Sequence, residues 1–249
     1  MADWLETEVI TRRVWTHQLF SLRLAGPCPR FEAGQFAKLA LDLDGERVGR
    51  AFSFVNPPDQ AASEFFGVIV PQGRLSPALA TLAPGERVYL AGAASGFLVL
   101  SEIPESATLW MLATGTGIAP FLSILQAGEV WRRHAGVVLV HAVRAASDLV
   151  YQDLIAALAA QSGGRLRYLA MVSREPVTGA GRLAGRLPAS ILDGRLERAA
   201  GLALAPGDSQ VMLCGNPDMV TDVTAALVTR GLRKHRRRAP GHISAERFW

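Results

Sequence analysis

The sequence predicts an all-β unit followed by an α/β unit, and three observations carry that reading. Up to about residue 103, short apolar stretches of strand length alternate with turn residues. From residue 107 onward, apolar strand-like runs alternate with amphipathic helical patterns, as in a mostly parallel sheet covered by helices on both faces. Between them, at residues 101–106, the composition changes and Pro104 marks a boundary, dividing the chain into residues 1–103 and 104–249.

In the first part the candidate strands are 6–14, 19–24, 35–43, 47–54, 65–70 and 86–91, a spacing that suits a barrel or a sandwich. Asp44-Gly45 lies between two of them and predicts a tight hairpin, because both central positions of such a turn favour positive φ. One helix interrupts the strands. Ser76 supplies an N-cap hydroxyl and Pro77 a first-turn proline ahead of Ala78, Leu79 and Leu82; the segment is either a plain connector or an anion site. In the second part the strands are 108–113, 137–143, 166–172 and 210–214, and the helices 118–126, 149–160, 188–199 and 219–227.

The turn after the strand at 108–113 reads Thr114-Gly-Thr-Gly-Ile-Ala-Pro120. Glycines there let backbone amides approach a ligand, and the following helix start presents unpaired N–H groups with partial positive charge. The pattern Gly-x-Gly-x-x-Pro departs from the dinucleotide fingerprint Gly-x-Gly-x-x-Gly, and an ordinary strand-to-helix turn would look the same. The other strand ends add information, since ligands of open parallel sheets bind there. Arg144, Ser173-Arg174 and Gly215-Asn216-Pro217 follow the remaining strands, with Arg182 and Arg186 in the next glycine-rich loop. Arginines at equivalent strand ends point to a phosphate-bearing ligand.

Composition removes several classes. The 249 residues are 49% hydrophobic, enough for packed cores, and the net charge is +4 with much of the basic excess at residues 230–238. Lys234-His-Arg-Arg-Arg238 lacks interleaved aromatics, so a solvated face or an acidic protein partner explains it better than nucleic acid. Residues 106–128 contain no charge, yet Gly115, Gly117 and Pro120 sit in the middle, so the stretch is expected to be buried and not to span a membrane. The acidic start without an apolar core argues against a secretory signal, and two separate cysteines, Cys28 and Cys214, suit a reducing cytoplasm. No metal site is expected, and two cysteines cannot hold a four-cysteine iron-sulfur cluster.

Five motifs in order, Arg50-Ala-Phe-Ser53, Gly73-Arg-Leu-Ser76, Thr114 to Pro120, Cys214-Gly-Asn-Pro217 and an aromatic C-terminus, resemble the plant-type ferredoxin-NADP reductase superfamily, and within it the bacterial ferredoxin/flavodoxin-NADP reductases. The resemblance spans essentially the whole chain. It implies an antiparallel six-stranded FAD-binding barrel over residues 1–103 and a Rossmann-like parallel-sheet NADP-binding domain over 104–249. By the same resemblance FAD lies on the outer surface of the barrel. Arg50 would pair with its pyrophosphate, Ala51 and Phe52 would line the ring, and Ser53 would hydrogen-bond near flavin N5, while Gly73, Leu75 and Ser76 would offer amides to the pyrophosphate. Phe52 replaces the family tyrosine, keeping the ring and losing a hydroxyl.

Thr116 would touch both cofactors, and Gly115, Gly117, Pro120 and Asn216 would hold the NADP pyrophosphate and nicotinamide ribose. Arg144, Ser173, Arg174 and Arg186 would read the adenosine 2′-phosphate. The resemblance also implies that Cys214 lies near the hydride path, that Phe248 covers the flavin and moves for the nicotinamide, and that Trp249 extends to the adenine. Ser53, Cys214 and Phe248 are thus the expected catalytic set. The implied reaction is hydride transfer from NADPH to flavin N5, followed by single-electron delivery to a separate ferredoxin or flavodoxin. A cytoplasmic monomer without nucleic-acid or membrane partners is expected. A reductase component of an oxygenase, a free-flavin reductase and a non-enzymatic basic binding module remain as alternatives.

Overall fold

The computed structural model describes residues 3–177, 179 and 181–247, which fold into two six-stranded sheets. The first contains β1 (Trp4–Val14), β2 (Leu19–Ala25), β3 (Phe36–Leu43), β4 (Glu46–Ser53), β5 (Ser63–Val68) and β6 (Arg87–Ala91), in the order β4-β3-β6-β1-β2-β5 and antiparallel throughout. Among the described residues the backbones of its two edge strands pair at a bridge between Phe54 and Phe65, backed by a 2.9 Å bond from the Val55 amide to the Glu64 carbonyl. That contact closes the sheet into a barrel while leaving a seam between β4 and β5. The Asp44-Gly45 hairpin takes the expected geometry, with φ of 53° and 79°. Inside, Leu22, Leu39, Leu79, Val88 and Leu90 form the core, with the short helix α1 (Leu75–Leu79) closing one end.

The second sheet is parallel, in the order β10-β9-β8-β7-β11-β12: β7 (Thr108–Thr114), β8 (Gly136–Val143), β9 (Leu166–Val172), β10 (Arg182–Ala184), β11 (Ser209–Gly215) and β12 (Ile243–Arg247). Alternation along the strands divides its two faces. Leu109, Met111, Val137 and Leu139 pack against α2 (Ala119–Ala127), α3 (Val130–Arg133) and α4 (Gln152–Gln161). Trp110, Leu112, Val138 and Val140 pack against α5 (Leu187–Leu192), α6 (Arg195–Ala200) and α7 (Pro217–Thr229). The uncharged stretch 106–128 contains β7, its turn and α2, with residues 108–113 and 117–125 buried, and among the described residues no helix is long and apolar enough to cross a membrane.

Several expectations need correction. The single helix at 188–199 is two, because Gly194 adopts left-handed backbone (φ 73°) after Asp193. The helix expected from residue 149 starts at Gln152, behind a left-handed Tyr151 (φ 59°). Strands β10 and β12 and helix α3 had no counterpart in the sequence reading.

The barrel and the parallel sheet share one apolar core, in which Leu19, Val55, Phe66, Leu98 and Leu100 meet α2 and Tyr151. Side-chain bonds cross the junction, among them Arg133 to the Leu100 and Ile103 carbonyls and Arg237 to Glu102. Ser123 Oγ donates to the Asn56 carbonyl (2.7 Å), Gln126 Nε2 to the Val55 carbonyl (2.7 Å), and the Tyr151 hydroxyl to Glu64 Oε1 (2.8 Å). Burial pushes the Glu64 carboxyl up and the Tyr151 phenol well above its usual range, so both are costly to leave unpaired. Tyr151→Phe is therefore expected to destabilise the protein by about 1–3 kcal/mol, read by urea unfolding, with the two sheets' relative mobility rising in hydrogen exchange.

Candidate functional site

The strand order places β7 at the centre: the chain runs outward through β8, β9 and β10, then returns to β11 and β12 on the other side. The crevice of such a sheet opens where that reversal occurs, between the ends of β7 and β11. The two turns there interlock. Gly117 is buried, and a side chain on it would meet the backbone of Cys214 and Gly215; a side chain on Gly215 (φ 136°) would meet Thr114. The Asn216 amide adds a 3.0 Å bond to Thr114 Oγ1. Gly117 thus serves close backbone packing. Gly115 is the open one, with φ 53° and no atom within 4 Å of where a Cβ would stand. Thr116 is half-buried beside it, and Pro120 is buried in the first turn of α2.

Arg144, Ser173, Arg174 and Arg186 stand at the ends of β8, β9 and β10, all exposed and on the same sheet edge as the glycine turn. The strand ends are tied together: the Arg174 amide donates to the Arg144 carbonyl (3.0 Å) and Ser173 Oγ to the Val143 carbonyl (3.2 Å). Among the described residues none of Arg144, Arg174, Arg182 and Arg186 forms an ion pair. The nearest acid in sequence, Glu175, is occupied by the Ala146 amide at 2.9 Å. The edge therefore presents uncompensated guanidinium groups, the donors suited to a phosphate. Asn216 has a local duty, its Oδ1 capping α7 through the amides of Asp218 (2.8 Å) and Met219 (3.2 Å).

On the barrel, Arg50 and Phe52 stand opposite Leu39 and Ala37 of β3, so their side chains leave the strand on its inward face. They remain reachable because the seam between β4 and β5 is open there, with Arg50 exposed, bonded only to the neighbouring Gly49 carbonyl, and Phe52 partly buried against Gly67. Ala51 is exposed on the opposite face. Ser53 is buried, and its hydroxyl has no partner among the described residues. Across the loop, α1 begins at Leu75, not Ser76, and Arg74 occupies the cap position. The expected Ser76 cap fails because its hydroxyl accepts the Val70 amide (2.9 Å), holding the 70–76 loop shut. Leu75 is buried in the barrel core, which leaves only its backbone, and that of Gly73, for a ligand.

The two halves meet at a residue that sequence reasoning missed. Glu246 pairs in register with Cys214, one strand over. A Cβ on Gly96 would lie 3.0 Å from Glu246 Oε1 and 3.1 Å from the Phe36 ring, and Phe36 is the β-partner of Ser53. Gly96 therefore brings Phe36, the neighbour of Ser53 in the barrel, beside Glu246 of the parallel sheet. Oε2 of Glu246 is buried without a partner among the described residues, as is Ser53 Oγ, and burial raises the Glu246 carboxyl to about 7. Cys214 is fully buried, its thiol pushed well up by burial and by the Glu246 charge, so it forms an apolar wall and not a thiolate. Phe248 and Trp249 lie outside the described residues. The acid at the end of an alternating segment, Ile243 and Ala245 against Ser244 and Glu246, was the available signal for both β12 and Glu246.

Because Glu246 binds its proton more tightly folded than unfolded, it costs nothing below about pH 4.5 and lowers stability as pH rises through about 7. Glu246→Gln is expected to raise stability at pH 8 by about 1–3 kcal/mol and to leave it unchanged at pH 4, read by thermal unfolding at both values.

Comparison with known proteins agrees with this arrangement. Residues 111–225 match the family model of the oxidoreductase NAD-binding domain. The chain is 52% identical to the flavodoxin/ferredoxin-NADP reductase of Escherichia coli (strain K12), over 100% of both chains. It is 34% identical to the ferredoxin-NADP reductase of Pseudomonas aeruginosa, covering 99% of this chain and 98% of that one. A crystal structure of a ferredoxin NADP+ reductase from Neisseria gonorrhoeae with bound FAD and NADP superposes with a TM-score of 0.94 at 32% identity, covering 100% of both. An antiparallel barrel with an open seam, a parallel sheet whose switch point faces it, and full-length identity above half with a named reductase lead to one conclusion: the chain belongs to the flavodoxin/ferredoxin-NADP reductase family.

Proposed function

We propose that this chain transfers electrons between NADPH and a ferredoxin or flavodoxin by means of bound FAD, with residues 1–103 as the FAD-binding part and 104–249 as the NADP-binding part. One observation carries the reading. Ser53 Oγ at the end of β4 and Glu246 Oε2 beside Cys214 are buried polar atoms without partners among the described residues. Unpartnered buried groups are expensive, and a ligand that satisfies them accounts for their presence. FAD supplies the conversion between two-electron and one-electron chemistry when bound.

The chain's own residues supply binding, alignment and exclusion of water. Arg50 at the open seam would neutralise the FAD pyrophosphate, with the backbone of Gly73 to Ser76 beside it. Phe52 would support the ring, and Ser53 would donate to its edge. The open face at Gly115 and Thr116 would receive the NADP pyrophosphate, and Arg144, Ser173, Arg174 and Arg186 its 2′-phosphate. Cys214 and Glu246 would wall the place where the nicotinamide meets the flavin. Phe248 would cover the ring until NADPH arrives, and Trp249 would extend to the adenine.

The same reading takes the chain as a cytoplasmic monomer with an acidic redox protein as partner and neither nucleic acid nor membrane. The exposed basic loop at residues 233–238 supports it, and electrostatic docking there should weaken with salt. The test compares acceptors: NADPH-driven reduction of ferredoxin and flavodoxin at rising ionic strength, against reduction of free flavin. Efficient, salt-sensitive turnover with the proteins supports the reading, and preference for free flavin rejects it.

A further inference from the structure

Strand β8 reads Gly-Val-Val-Leu-Val-His-Ala-Val, and its histidine, His141, is 0% exposed in the middle of a parallel sheet. Interior strands of such sheets are apolar runs, so an imidazole here needs a reason. Stability does not supply one. The ring makes a single bond, Nε2 to the Gly115 carbonyl at 3.0 Å, while Nδ1 has no partner among the described residues. A carbonyl only accepts, so the proton resides on Nε2, and full burial keeps the ring neutral by lowering its pKa to about 4.

The partner of this bond is the open glycine of the switch-point turn. Gly115 has left-handed backbone (φ 53°), no atom within 4 Å of its Cβ position, and opens a short 3-10 turn, Gly115–Ile118, so side-chain packing does not hold the peptide that follows it. In a planar trans peptide the C=O and the next N–H point in opposite directions. With the Gly115 carbonyl held by His141, the Thr116 N–H faces the opposite way, away from the His141 ring. We propose that His141 is a positioning residue for the cofactor reaction: its Nε2–H fixes the Gly115–Thr116 peptide so that the Thr116 amide is presented to the NADP phosphates. The inference rests on the NADP placement given above.

Side-chain reach makes the idea testable on the FAD-loaded protein. The glutamine amide nitrogen extends to the place of a histidine Nε2, whereas the asparagine nitrogen reaches only that of Nδ1. His141→Leu and His141→Asn should weaken NADP+ binding about tenfold, and His141→Gln should stay within about threefold of the parent. All three should bind adenosine 2′-monophosphate, a probe of the arginine edge alone, as the parent does. In the NADP-free protein the Thr116 amide resonance should move in His141→Leu and hold in His141→Gln. Three results would overturn the proposal: an unmoved Thr116 resonance in His141→Leu, equal NADP+ losses for Gln and Asn, or parallel losses of both ligands, which would mark a general structural effect. If NADP+ added to the parent leaves the Thr116 amide unmoved while the 2′-phosphate probe still binds, the placement of the pyrophosphate is at fault, and the proposal falls with it.

Discussion

Arg144→Ala combined with Arg174→Ala is expected to raise the KM for NADPH by about 10²-fold while the KM for NADH changes by less than about threefold. The two cofactors differ only in the 2′-phosphate, so a loss confined to NADPH measures contacts to that group. Both arginines sit at ends of adjacent strands joined by the Arg174 amide to Arg144 carbonyl bond, and neither has an acid partner among the described residues. Their removal therefore leaves no orphaned carboxylate to perturb the fold. Thermal stability should be preserved, which separates a binding defect from unfolding. Equal losses for NADPH and NADH would contradict the 2′-phosphate reading.

Ser53→Val should lower the rate of flavin reduction by NADPH by about 10–10³-fold, with Ser53→Ala intermediate. The hydroxyl is buried, has no protein partner among the described residues, and lies at the end of the strand that carries Arg50 and Phe52. A hydroxyl kept in that state is explained by a bond it makes only to the cofactor. Valine is bulkier than serine and cannot donate, so it removes the bond and crowds the same space, whereas alanine removes the bond alone. Rapid-mixing absorbance at the flavin band isolates this step from later electron delivery. Removing an unsatisfied hydroxyl should not reduce stability, so FAD retention with a slow reduction phase is the expected pattern. An unchanged rate in both variants would remove Ser53 from the mechanism.

Two buried titrating groups near the site act on stability in opposite directions. His141, held neutral with its pKa near 4, contributes stability above about 6.5 that is lost as pH falls toward 4. Glu246, held protonated to about 7, removes stability over the range from about 4.5 to 7 as pH rises. Between about 4.5 and 6.5 the two oppose each other. The Glu246→Gln variant should accordingly lose stability more steeply on acidification through that window than the parent.

How much of this was legible in the sequence depends on whether a feature is local. The Asp44-Gly45 hairpin was, because the turn's φ values select those two residues. The arginines at strand ends were, because alternation fixes where each strand stops. The break at Gly194, which follows Asp193, is local too, but the apolar spacing across 188–199 masks it. Ser76 looked like a cap and is not, because the Val70 amide competes for its hydroxyl, and that contact forms only once the loop closes. The roles of Glu246, for which the alternation of residues 243–246 is the one local signal, and of His141 are not local. Their significance depends on which residue lies across the sheet, Cys214 for one and the Gly115 turn for the other, and register is a property of the assembled fold.

The central claim is that electrons pass from NADPH through FAD in this chain to a ferredoxin or flavodoxin. The most direct measurement mixes the purified protein anaerobically with NADPH and oxidised flavodoxin, following both flavin spectra. The account predicts about one FAD per chain, loss of its absorbance on mixing with NADPH, and flavodoxin reduction that requires the FAD-loaded protein. Protein that takes up no FAD, or FAD-loaded protein that NADPH leaves oxidised, would contradict it.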